Sequence, residues 1–409
     1  MRALSQVLVG FGALAFASHG PAQAGPSPKR VEVERVDPLT RGDVIAMLRA
    51  DYVSFAPFAL GDDHDTKAVD KLVGAGTTAW IETKHFKLGC ALDPLTVPEG
   101  ASGDAMRAEL MGLRAKFPQL EPRQRTLSTW LRAHVYAHRL EALYAEVEKL
   151  LGVNDDDFPQ SAQDVRADRA TGEGPYLGQK GKFIVLLFDR AGSFARYARE
   201  FTGSKQRFSM RHYFARTDSL AFVTCEEFAE GKFREDAALH AHVAFHVVHN
   251  LLDGYLHYDH VLPVWFTEGA ASWYVRKLDP VFTSWTTLDE SQRDWLPIWD
   301  WRSEVEKLVR SDTFTPAGTM TTWLDYESVR FADRMVFWSR VEWLLGQGGE
   351  KFALFVKTLK QPLVGSGKPG ERTAILARQD EALKRAYGLD MENFDKLWKR
   401  WVIKTSPKR

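Results

Sequence analysis

The chain has 409 residues, 44% of them hydrophobic, and Lys plus Arg (54) balance Asp plus Glu (54) for a formal net charge of zero. That apolar content can bury a large core with two or three lobes. The balanced charge gives no electrostatic footprint for nucleic acid or for an anionic membrane as a partner.

The N-terminus has Arg2, an apolar run from Val7 to Ala17, then Pro21-Ala22-Gln23-Ala24. A charged start, a short apolar core and an A-x-A site are the parts of a secretory signal peptide, with cleavage expected after Ala24. The run is too short for a permanent bilayer span, no cysteine marks a lipid anchor, and no later stretch is apolar for long enough to cross. A secreted or periplasmic mature protein without a transmembrane span is expected. In an oxidising compartment Cys90 and Cys225 could pair across a long loop, or remain two buried thiols.

Gly25 to Arg30 reads as a mobile arm, and Val31 to Asp70 carries mixed signals. Trp80 to Leu88 alternates as a strand does. Ser128 to Leu151 reads as a helix, with Leu140, Leu143, Tyr144, Val147, Leu150 and Leu151 on one stripe and Gly152 as its stop. His134 and His138 in that helix read as solvated or core-edge histidines. Val153 to Gly181 is polar and aperiodic, a loop or linker. Phe183 to Phe188 is a continuous apolar run, as a central strand would be. A short helix over Ser193 to Phe201 and strands over Arg211 to Ala215 and Leu220 to Thr224 follow. Beyond Asp279 the chain reads as mainly helical, with helices over Arg330 to Leu345, Lys351 to Leu359 and Asp380 to Tyr387, and a loop over Gly365 to Gly370.

The chemistry concentrates in Leu239 to Asn250 and Leu262 to Gly269. His242 and His246 are four apart, so on a helix both imidazoles leave one face, a turn apart. Acid in the first turn (Glu235-Asp236) and Asp253-Gly254 bound this helix, and a second helix carries Glu268. Two imidazoles at that spacing with a downstream carboxylate are the donor set of a zincin, leaving a fourth zinc position for water. His249 shares the ligand face and Asp253 continues it, so a His242, His246 and His249 cluster is an alternative donor set. His240 points away from that face. His257, Asp259 and His260 lie in the intervening loop. Trp295, Trp299 and Trp301 are core residues or, less simply, the lining of a substrate groove.

In order and wording these segments resemble a gluzincin metallopeptidase, in particular the secreted bacterial peptidase-MA-like group. There a His-Glu-x-x-His helix precedes a Leu-Pro-x-Trp-Leu-x-Glu-Gly-x-Ala segment, here Leu262 to Ala271. The resemblance is clearest from Phe183 to Val275. It implies zinc held by His242, His246 and Glu268, and an oxyanion donor from a later helix, for which Tyr326 or Tyr274 would serve. Two positions depart from the pattern. Val243 stands where the general-base glutamate belongs, and Ser272 stands where some gluzincins keep an acid that orients a ligand histidine.

The expected fold class is α+β: a zincin-like fold with a small mixed β-sheet packed on the two-His helix and a mainly helical C-terminal lobe. The expected division is a signal peptide (1–24), a strand and helix lobe (25–152), a polar linker or loop (153–181), the metal-site core (182–279) and the helical lobe (280–409). The expected function is a secreted zinc-binding pseudopeptidase that takes a peptide or protein ligand. Two alternatives stay open: an active zinc metallopeptidase whose base comes from the His257–His260 loop or Glu235, and a metal-free binding or structural protein on the same fold.

Overall fold

The computed structural model describes residues 33–34, 36–168, 170–257, 262–281, 300–361 and 372–405. The expected signal peptide and arm, Asp259, His260, Trp295, Trp299 and the 365–370 loop lie outside them. Residues Glu32–Arg409 form one compact unit.

The apolar run Phe183–Phe188 is buried along its whole length, and this requires neighbours on both edges and cover on both faces. It forms the centre of a six-stranded sheet built from β1 (Tyr52–Ser54), β2 (Ala79–Thr83), β3 (Phe86–Cys90), β6 (Phe183–Phe188), β7 (Met210–Phe214) and β8 (Ser219–Cys225), in the order β1-β2-β3-β6-β8-β7. β6 runs parallel to β3 on one side and to β8 on the other, while the outer pairs are antiparallel. Strands β4 (Leu95–Thr96) and β5 (Thr126–Leu127) form a separate small pair. The architecture is therefore mixed α+β with a mixed sheet.

The stretch expected as one strand, Trp80 to Leu88, is a hairpin. The break falls at Lys84-His85, without Gly, Pro or Asn to announce it. A tertiary contact and a local one hold the turn instead: His85 Nδ1 lies 2.6 Å from Glu141 Oε2, and the Thr83 hydroxyl accepts from the Phe86 amide at 3.1 Å.

Helices α1 (Val44–Arg49), α2 (Thr66–Val73) and α3 (Gly100–Leu113) precede α4 (Thr129–Leu151). The Ser128 hydroxyl caps α4 by accepting from the Leu131 amide, and Gly152 ends it at φ 64°. The apolar stripe of α4 packs on β2 and β3. His134 is not at the core edge as expected; it is fully buried between Asp37 (2.8 Å from Nε2) and the Tyr52 hydroxyl (2.7 Å from Nδ1). His138 is half-buried.

The polar segment 153–181 does not separate two sheets, because β3 before it pairs directly with β6 after it. It packs on the end of the two-His helix. The Leu256 amide donates to the Leu177 carbonyl at 2.8 Å, and Gln179 Nε2 donates to the Gly254 carbonyl at 3.2 Å. Gly178 has φ 100°, and a Cβ there would meet the Leu256 backbone at 3.0 Å, so the close approach needs glycine.

After α5 (Ala191–Thr202) come the two motif helices, α6 (Asp236–Gly254) and α7 (Val264–Leu278). The helical remainder is α8 (Trp301–Arg310), α9 (Ala317–Met320), α10 (Phe331–Gly346), α11 (Gly349–Lys360), α12 (Arg372–Tyr387) and α13 (Met391–Thr405). Phe394, Trp398 and Val402, spaced by four, form the buried face of α13. Trp301 is buried, with the Arg276 guanidinium 4.3 Å from its ring centroid, so it serves the core. Cys90 and Cys225 are both free and buried. Among the described residues no helix is long and apolar enough to cross a membrane.

Candidate metal-type site

The site rests on α6, whose residues from Ala241 to Leu252 are all buried. Its first turn is anchored on α4, where Arg139 donates to both oxygens of Asp236 at 3.1 and 2.7 Å. With α6 fixed against β8 and α7, the residues four apart on its face point to the sheet and to α7.

His242 and His246 lie together on that face, their rings 4.6 Å apart between centroids. His246 stacks on Phe222 of β8 at 4.6 Å, and His242 stacks on Phe233 at 4.2 Å. His242 Nε2 lies 2.8 Å from the Ser209 hydroxyl, which in turn lies 2.7 Å from the Thr224 hydroxyl. His246 Nδ1 finds no hydrogen-bond partner among the described residues. Burial pushes His242 down to about 3. Burial first, and then His242, Arg211 and His249, push His246 well below the ordinary histidine range. Both rings are therefore neutral near pH 7, the form in which imidazole binds a metal.

Glu268 sits in the first turns of α7 and is fully buried. Its Oε2 accepts from Arg334 Nη1 of α10 at 2.9 Å, and its Oε1 lies 3.5 Å from His249 Nε2. The glycine after it makes the first contact possible. A Cβ at Gly269 would meet the Phe337 carbonyl oxygen at 2.6 Å and Val341 at 2.7 Å, so only glycine lets α10 approach α7 this closely. The start of α10 is pinned in turn. Asp333 accepts from the Arg330 amide at 2.9 Å and from the Thr315 hydroxyl at 2.6 Å. Arg334 is thus delivered to Glu268 by a rigid helix start.

Asp253, the last acid of the α6 stripe, accepts from Arg211 of β7 at 2.6 Å. Glu268 and Asp253 are thereby each paired with a guanidinium. The two imidazoles have the chemistry and spacing of zinc donors. The carboxylate, as arranged, is already engaged by Arg334. Among the described residues no group of three or more His, Cys, Asp or Glu side chains is placed to hold a metal ion.

Val243 is 2% exposed, a hydrocarbon in the core at the position after His242. Ser272 is buried on α7. Glu235, weighed as a substitute base, is exposed and accepts from Lys232 Nζ at 2.7 Å. His240 lies edge-on to Tyr136 of α4, 6.5 Å between centroids, off the ligand face as expected. Tyr274 is buried on α7, and the partly buried Tyr326 packs on the core between α9 and α10. His257, with φ 96°, follows the end of α6.

Arg334 and Ser209 were not singled out from the sequence. An arginine at the head of the apolar run Met335-Val336-Phe337-Trp338 is a signal that one helix face buries a charge, but nothing local says which acid it meets. No known protein-family model, curated protein or solved structure matches this chain.

Proposed function

We propose that this chain is an exported, gluzincin-like pseudopeptidase. It keeps the two-His helix and the Glu268 segment, but does not hydrolyse peptides and acts by binding a peptide or protein ligand. The observation that carries this reading is Val243. A general base must take a proton from the attacking water and return it to the leaving amine, which in comparable enzymes contributes about 10²–10⁴-fold. A buried isopropyl group can do neither, and the two acids at the start of the helix, Glu235 and Asp236, are tied to Lys232 and Arg139. Arg334 covers Glu268 of α7, and Arg211 covers Asp253 of α6.

Hydrolysis of casein and of a mixed peptide library by the mature protein tests the reading. Turnover at background, with and without added zinc, is the expected result. Cleavage abolished by a chelator would refute it.

A second reading, in which the pseudopeptidase also holds zinc at His242, His246 and Glu268, is favoured by one feature. The pair of neutral imidazoles shares one helix face, and His246 Nδ1 is unpartnered among the described residues. Bound zinc would polarise a carbonyl or lower the pKa of a water. About one zinc per mature chain, lost in His246→Ala, would support this reading.

A further inference from the structure

The guanidinium that faces Glu268 bears directly on what the site can take.

We propose that Arg334 is a resident countercation that competes with a divalent metal for Glu268, and so decides whether the site is open to zinc. This rests on reading His242, His246 and Glu268 as a zincin-type donor set.

The geometry supports it at three levels. Arg334 Nη1 lies 2.9 Å from Glu268 Oε2, with the two side chains 2% and 0% exposed, so the pair is sealed from water. A guanidinium keeps its charge at any pH the fold tolerates and cannot be neutralised to make way for a second cation. A zinc ion taken by Glu268 would share one buried carboxylate with the Arg334 guanidinium, two cations side by side with little water to screen them. The backbone that presents Arg334 is held in place, because the start of α10 is pinned by Asp333 to Thr315 and Arg330, and Gly269 lets α10 pack tightly on α7. The same device recurs at Asp253, which Arg211 covers from β7.

Zinc binding to the mature full-length chain, measured by titration calorimetry after chelator treatment, tests the proposal with wild type and Arg334→Met. Removing one partner of a buried pair shifts equilibria by several kcal/mol, so zinc should bind about a hundredfold tighter or more to Arg334→Met than to wild type. Glu268→Gln added to that variant should abolish the gain. Should Arg334→Met unfold in metal-free buffer, Arg334→Gln keeps a donor without the charge and should show the same zinc gain, with zinc raising its melting temperature.

Wild type binding zinc as tightly as Arg334→Met would overturn the role of Arg334 while leaving the donor set intact. No zinc binding by any variant that folds would overturn the donor set together with the proposal.

Discussion

Removing the Arg334 side chain beyond its methylenes should destabilise the apoprotein far more than removing it together with Glu268. Arg334→Met takes the guanidinium from a fully buried carboxylate, and among the described residues His249 Nε2, at 3.5 Å, is too far to replace it with a good hydrogen bond. Breaking one half of a buried ion pair costs about 3–5 kcal/mol, a large share of the roughly 5–15 kcal/mol that holds a domain folded. Replacing both halves by apolar groups of similar volume is often close to neutral, so Glu268→Met with Arg334→Met should lie within about 1 kcal/mol of wild type. The coupling between the two sites should then exceed about 2 kcal/mol, the upper part of the range for directly contacting residues. Urea unfolding of the four proteins in metal-free buffer, followed by far-ultraviolet circular dichroism, measures each term. A single Arg334→Met loss below about 1 kcal/mol, or a double variant as unstable as the two single losses summed, would refute the view that this ion pair holds the site together.

Asp236 supports α6 from α4. Burial alone would raise its carboxyl, but Arg139 overcomes this and holds it at about 2, against 3.8 unperturbed. A depressed carboxyl stabilises the fold above its unfolded pKa, so Asp236→Asn should cost about 2 kcal/mol at pH 7, with the gap closing as the pH falls from about 4 to 2. A gap independent of pH would show that the charge is not what matters. Burial pushes both Cys90 and Cys225 up to about 12, so a thiol reagent should react with neither in the native protein and with both in denaturant. Rapid labelling of native protein would contradict that burial. Val243→Glu places a carboxylate at a core position that is 2% exposed, so it should lose about 2 kcal/mol or more in denaturant unfolding without gaining peptidase activity. Full stability in that variant would mean the position is open to water.

Local rules made some elements readable and left others dark. Helix α4 could be bounded because Ser128 and Gly152 are local cap signals, and β6 could be placed because only a strand with cover on both faces is apolar throughout. The two motif helices were legible from a four-residue histidine spacing and from the Leu262 to Ala271 segment that carries Glu268. The hairpin at Lys84-His85 was not, since its turn is held by Glu141, 56 residues away. His134 was misjudged for the same reason: its partners Asp37 and Tyr52 are 97 and 82 residues away and leave no mark near it. At the candidate site the sequence named His242, His246, His249, Val243 and Glu268 but could not supply Arg334, 66 residues from the carboxylate it meets. Spacing shows which side chains share a helix face. It does not show which distant charge packs against that face.

The most direct measurement is peptide-bond hydrolysis by the purified protein, with zinc supplied in slight excess and a matched sample stripped by chelator. With Val243 in place of the base, both samples should match the no-protein control over the full assay. Turnover in the zinc sample that disappears in the stripped one would contradict the account, and would mean that a group other than the residue after His242 is moving the proton.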